Sequence, residues 1–198
     1  MSSRVSQFDL SRPDAGPSLA VREIYSLFAR VLDYPTPEFS AQVRELVLQV
    51  GPLSREAAEF LGKFAAESQV MTTGQLQELY TGTFDMRPDR TMNLGCHLFG
   101  EDMRRNVFMT ELKRRMEARQ VQMGSELPDH LSLVLELLAR EESEGETQTL
   151  IADCLEPALT RLLSTFDAAG TDLYARLLQG LETFLRGDQA RSASAVSA

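Results

Sequence analysis

The chain has 198 residues, enough to bury one sizeable core, and a single domain is the default at that length. Its 29 acidic and 20 basic residues give a net charge of −9, which argues against sequence-independent nucleic-acid binding and permits a basic partner such as a cationic peptide. It has no uninterrupted apolar run of the roughly 18 residues that span a bilayer, and the N-terminus lacks the apolar stretch of a signal peptide, so a cytoplasmic protein with no direct membrane insertion is expected.

Helical periodicity dominates, and almost no strand-like alternation is present. A first helix is predicted after Ser18 as N-cap, with Ile24, Leu27, Phe28, Val31 and Leu32 on one face. It stops at Asp33-Tyr34-Pro35. A second starts at Thr36-Pro37, buries Phe39, Val43, Leu46, Val47 and Val50, and ends at Gly51-Pro52. A third begins near Ser54 with Ala57, Phe60, Leu61 and Phe64 inward. A fourth runs from about Thr73 and carries Leu76, Leu79, Tyr80 and Phe84. Asp85 to Arg90 reads as a polar loop.

A short helix is then expected from Thr91 to Gly100, and a long one from Glu101 to Val121. The long helix holds Arg104, Arg105, Lys113, Arg114, Arg115 and Arg119, six of the 20 basic residues. The favoured reading pairs them with the protein's own surplus acids, and a surface for an acidic partner is the alternative. Methionine is frequent, with five of the eight at Met86, Met92, Met103, Met109 and Met116. Core packing is the expected use.

Next comes Gly124 to Arg140, GSELPDHLSLVLELLAR. Glu126-Leu127-Pro128-Asp129 is predicted to open a helix, since proline is tolerated in a first turn and aspartate suits the helix dipole there. Only Ser132, Glu136 and Arg140 keep one side of it polar, so it should be buried and central. His130 then falls on the apolar side, as a core histidine bonded to a backbone group or a carboxylate. A helix from Thr147 to about Ala169 contains Pro157, where a kink or break is expected. The last helix runs from Thr171 to about Arg186, with Gly187 as its stop. The result is an all-α fold, a single compact bundle of about eight or nine helices over residues 18–187, flanked by a flexible segment 1–17 and a disordered tail 188–198.

Catalytic chemistry finds little support. Asp129–His130 could form a pair, but no glycine-rich phosphate loop, nucleophile elbow or H-E-x-x-H pattern accompanies it. A metal site would need His97, His130, Cys96 and Cys154 to converge, and no spacing demands that. No metal or resident cofactor is expected. Cys96 and Cys154 read as reduced thiols.

Three stretches carry a resemblance. They are Tyr80-Thr81-Gly82-Thr83-Phe84-Asp85, His97-Leu98-Phe99-Gly100-Glu101-Asp102, and Glu126-Leu127-Pro128-Asp129-His130-Leu131, the last followed by VLELLA. In this order they resemble the NarJ family, the molybdenum-cofactor assembly chaperones of respiratory nitrate reductase, also called the delta subunit. The likeness covers about residues 19–187. The related TorD/DmsD chaperones carry E-P-x-D-H, whereas here proline lies directly before aspartate, which favours the nitrate-reductase branch.

The resemblance implies an all-α helper without enzymatic turnover. It would bind the N-terminus of the apo catalytic subunit until molybdenum cofactor is inserted and the complex docks at the membrane, with cofactor-delivery proteins as further partners. The client-binding residues it implies are Glu126, Pro128, Asp129 and His130, with Tyr80, Phe84 and Asp85 as weaker matches. A charge of −9 suits a client leader bearing arginines, and an exposed Asp129 could pair with one. The alternatives are a chaperone of a related molybdoenzyme acting on perchlorate, selenate, dimethyl sulfide or hydrocarbons, and a small all-α regulator or enzyme using Asp129 and His130.

Overall fold

The computed structural model describes residues 16–167 and 172–196. Within them the chain forms α1 (Leu19–Val31), α2 (Phe39–Val50), α3 (Arg55–Ser68), α4 (Thr73–Tyr80), α5 (Leu94–Phe99), α6 (Met103–Ala118), α7 (Leu131–Arg140), α8 (Glu144–Leu150), α9 (Glu156–Leu163) and α10 (Leu173–Val196). A π-helical turn, Thr81–Asp85, continues α4, and a second, Ile151–Leu155, joins α8 to α9. The all-α bundle read from periodicity is therefore the observed fold. The only β-like pairing among the described residues is an isolated antiparallel bridge between Asn93 and His130.

Local chemistry sets several helix starts. Side-chain oxygens of Ser18 and Ser54 accept from the backbone N–H groups of Val21 and Ala57. Thr72 and Gln75 form a reciprocal capping box. At the second helix the sequence reading starts too early. The Thr36 hydroxyl donates to the Glu38 carboxylate at 2.8 Å instead of capping, and the helix begins at Phe39. At the break expected near Pro157, the π turn lies just before the proline. Proline has no N–H to give to the carbonyl four residues back, and a wider turn absorbs the loss.

The core sits where α10 packs along α3 and α7 packs along α1, with α2 bridging α1 and α3, and α9 against α10 and α5. Gly180 is required at the α3–α10 crossing, because a Cβ there would lie 2.8 Å from the Leu61 side chain. Aromatic rings link these layers. Phe184 of α10 meets Tyr25 and Phe28 of α1, and Tyr174 meets Phe64, Tyr80 and Phe84 at 5.0–6.0 Å between centroids. Met92 and Met116 are buried as the core reading predicts, while Met86 and Met103 are exposed.

The C-terminal end departs from expectation. The helix does not stop at Gly187 but continues to Val196, so the stretch read as a disordered tail is helical over its described part. Tertiary contacts override the glycine stop. Asp188 is buried and its carboxylate accepts from the Tyr25 hydroxyl at 2.5 Å, from Gln148 and from Arg191. The expected loose segment 1–17 lies outside the described residues except for Gly16 and the buried Pro17. The expected helix ends at Ala169 and Thr171 also lie outside them.

Asp188→Ala should cost about 1–3 kcal/mol, because the Tyr25 hydroxyl is left buried without its acceptor. Urea denaturation followed by circular dichroism measures this, and an unchanged midpoint would contradict it.

Candidate functional site

The residues singled out from the sequence gather around one cleft of about 360 Å³, between the end of the α4 π turn and the segment before α7. Phe84, Pro88 and Met92 give it apolar walls, Thr91 and Asn93 line it from the stretch leading into α5, and Cys96 lines it from α5 itself. Asp85, Glu126 and His130 supply its ionisable groups. Of the seven predicted positions, Phe84, Asp85, Glu126 and His130 line the cleft. Tyr80 sits behind it, buried with its ring against Phe84 and Tyr34 at 5.0 and 5.6 Å. Pro128 and Asp129 do not line it.

The π turn decides how the first pair is presented. In a regular α-helix Asp85 would follow Phe84 by about 100° on a 3.6-residue turn. The turn Thr81–Asp85 adds a residue to the helical repeat, closed by the Met86 N–H on the Thr81 carbonyl at 3.0 Å. Phe84 stays in the core and Asp85 emerges at the cleft.

Where the sequence reading opened a helix at Glu126–Asp129, the structure has a turn, and α7 starts at Leu131 with His130 as N-cap. The reason is long-range pairing. The Leu131 N–H donates to the Met92 carbonyl at 2.9 Å and the Leu94 N–H to the Asp129 carbonyl at 2.8 Å. These backbone groups are spent on the crossing strand-like segment and cannot serve a helical turn.

Asp129 is fully buried, which corrects the expectation that it could stand exposed at a groove edge and pair with a client arginine. Its carboxylate already holds Arg105 of α6 at 2.8 Å and accepts from the Gly95 N–H at 3.2 Å. A Cβ on residue 95 would lie 2.5 Å from that carboxylate oxygen, so only glycine fits. Asp129 thus pins α5 and α6 to the segment that ends in His130. No sequence signal marks Arg105 as its partner, because the two are 24 residues apart.

His130 is 7% exposed, and its Nδ1 lies 2.7 Å from the Ser132 hydroxyl. The core-histidine reading holds, but its partner is a hydroxyl rather than a backbone group or a carboxylate. Asp129 and His130 share no hydrogen bond with each other among the described residues. Burial pushes the imidazole below the ordinary histidine range, against the opposing pull of Glu126, Asp33, Asp129 and Asp85. Asn93, overlooked in the sequence, lines the same cleft with its amide committed to the Thr91 hydroxyl and its carbonyl oxygen buried without a partner.

The basic helix behaves as its favoured reading predicts. Arg104 pairs with Asp102, Arg105 with Asp129, Lys113 with Glu117 and Arg114 with Glu111. Arg115 reaches Glu141 and Glu146, and Arg119 reaches Glu141 and Glu142. No group of three or more His, Cys, Asp or Glu side chains among the described residues is placed to hold a metal ion. Nor is any helix among them long and apolar enough to cross a membrane.

Removing the Asp129 carboxylate leaves a half-buried guanidinium and a bare N–H, so Asp129→Ala should destabilise the fold by about 3–5 kcal/mol, with a smaller loss for Asp129→Asn. Equilibrium unfolding of both variants checks this, and two wild-type-like curves would disprove it. A second expectation concerns pH. The His130 ring should titrate below 6.5 in a carbon-detected NMR titration. The unfolded chain then takes up that proton first as pH falls, and the folded state loses stability below the ordinary histidine range. A midpoint above 6.5 would contradict the burial account.

Comparison with known proteins bears on this architecture. The family model for the nitrate reductase delta subunit matches residues 50–169, which include α5, α6, α7 and every residue lining the cleft. A protein of Escherichia coli (strain K12) named nitrate reductase molybdenum cofactor assembly chaperone NarJ is 31% identical over 118 residues, covering 58% of this chain and 50% of the relative. A protein of Bacillus subtilis (strain 168), named a probable nitrate reductase molybdenum cofactor assembly chaperone NarJ, is 30% identical over 125 residues, covering 61% and 67%. The matched stretch thus spans about half the length of the Escherichia coli relative. With more than half of its length matched by the family model, the chain belongs to the nitrate reductase delta subunit family.

Proposed function

We propose that the protein is a non-enzymatic assembly chaperone for a molybdenum-containing nitrate reductase. In the cytoplasm it binds the N-terminal segment of the apo catalytic subunit and holds it until molybdenum cofactor is inserted and the complex docks at the membrane. Cofactor-delivery proteins are then its transient neighbours. The reading draws its partner class from the names of the relatives, which describe molybdenum cofactor assembly chaperones.

The observation that carries the site is the convergence of Phe84, Asp85, Glu126 and His130 on one cleft from two segments about forty residues apart in the chain. The cleft combines apolar walls with a few ionisable groups, the usual make-up of a surface that receives a peptide side chain. A nucleophile with its base would favour an enzyme instead, and the one sequence-adjacent pair is split. Asp129 is tied to Arg105, and His130 is tied to Ser132. Pro128 and Asp129 then support the site from behind rather than touch the client.

Calorimetric titration with a synthetic peptide copying the start of the catalytic subunit encoded beside this gene tests the proposal. Micromolar or tighter binding is expected, weakened by His130→Ala in a variant that keeps its fold. Absence of binding to a folded sample at several pH values would overturn it.

A further inference from the structure

The cleft brings together carboxylates that have no base beside them. Every basic residue of α6 is matched with an acid. Asp85 and Glu126 line the cleft, are exposed, and have no hydrogen-bond or ion-pair partner among the described residues. Asp33, just past the end of α1, accepts only from the neighbouring Tyr34 N–H and lies close enough to act electrostatically on the His130 ring.

The nearest cations are turned away. Arg87 is bonded to Asp89, Arg90 to Asp172 and the Thr165 carbonyl, and Arg105 to Asp129. No lysine or arginine lines the cleft. The walls therefore present acceptors with no matching positive donor.

An independent observation comes from His130. The ring is 7% exposed, and its Nδ1 is committed to Ser132. Its Nε2 has no hydrogen-bond partner among the described residues, and His130 lines the cleft. In the tautomer whose Nδ1–H donates to the serine hydroxyl, Nε2 keeps a lone pair free to accept, on a residue that lines the cleft with the two carboxylates. A buried imidazole is pre-positioned there with one ring nitrogen unused.

We infer that the cleft is a subsite for one cationic hydrogen-bond-donating group of a bound polypeptide, a guanidinium or a primary ammonium, received jointly by Asp85, Glu126 and the Nε2 of His130. The inference rests on the reading that this cleft takes a client peptide, and it relocates the cation contact from Asp129, which is buried and paired, to acceptors that are open. Phe84, Met92 and Pro88 would flank the apolar stem of such a side chain, as apolar walls do for arginine and lysine. The guanidinium carries enough donors for three acceptors at once. The two sources of such a cation in an N-terminal segment are an arginine or lysine side chain and the α-ammonium itself.

The test uses the full-length protein and simple probes. N-acetyl-arginine amide is titrated while the His130 ring resonances are followed by NMR, with N-acetyl-citrulline amide as the uncharged isostere. The arginine probe should shift the His130 signals, leaving Nε2 unprotonated, and the citrulline probe should not. The double variant Asp85→Asn/Glu126→Gln should weaken the arginine effect by roughly tenfold or more, as loss of charge-assisted bonds does. Both side chains are exposed and unpartnered, so a melting temperature equal to wild type is expected and shows that the fold is kept. Equal shifts from arginine and citrulline, an undiminished response in the double variant, or a proton on Nε2 in the loaded state would each overturn the inference.

The client peptide separates the two sources and the two claims. It is compared with an N-acetylated copy and with a copy in which each arginine is replaced by citrulline and each lysine by acetyl-lysine. A loss with one copy supports the inference and names the source. If all three bind equally, the cation subsite is wrong while the chaperone reading stands. If the arginine probe binds but no peptide does, the subsite stands and the client assignment fails.

Discussion

One carboxylate without access to water organises the functional end of this molecule. Asp129 cannot be left unpaired in the interior, and its two oxygens are satisfied by the Arg105 guanidinium and the Gly95 N–H. Those contacts come from α6 and α5, so the segment before α7 is locked to both helices at once. The backbone bonds on either side, Leu94 to Asp129 and Leu131 to Met92, fix the register. His130 takes its place in the cleft as a consequence. The aspartate positions the cleft without lining it.

Charge is distributed by the same logic. The chain has an excess of nine acids over bases. The arginines of α6 are drawn to Asp129, Glu141, Glu142 and Glu146, which tie α6 to the flanks of α7. Exposed pairs on that helix contribute little each, and the pairs to Asp129 and Glu141 matter more because those acids are buried. Asp85 and Glu126, left without a base, both line the cleft. A concave surface lined by one sign of charge concentrates counter-charged ligands and speeds their capture.

The core reaches the cleft through a file of rings. Phe64 and Tyr174 meet Tyr80 and Phe84, and Phe84 is itself a wall of the cleft. The π turn then hands the next residue, Asp85, to solvent. π turns carry a cost in hydrogen-bond geometry and recur where side-chain direction matters. A rigid aromatic support on one side and a pinned turn on the other keep the two halves of the cleft in fixed relation, which favours binding without a large ordering cost.

Much of this was legible in the chain. The 3.6-residue spacing of Ile24, Leu27, Phe28 and Val31, the helix starts at Ser18 and Ser54, and the proline at 157 each act within a few residues, so sequence suffices to read them. Of the residues marked by the resemblance, Phe84, Asp85, Glu126 and His130 line one cleft. Sequence could not show that Asp129 faces inward, that Arg105 is its partner, or that Asn93 joins the cleft, because these depend on segments brought together from far apart. For the same reason Gly187 misled. A glycine is a local stop signal, but the contact of Asp188 with Tyr25 spans 163 residues and keeps the helix going. Periodicity and capping chemistry fixed the helices and the fold class, whereas the pairing of buried polar groups across the bundle decided which of the marked residues line the cleft and which hold the others in place.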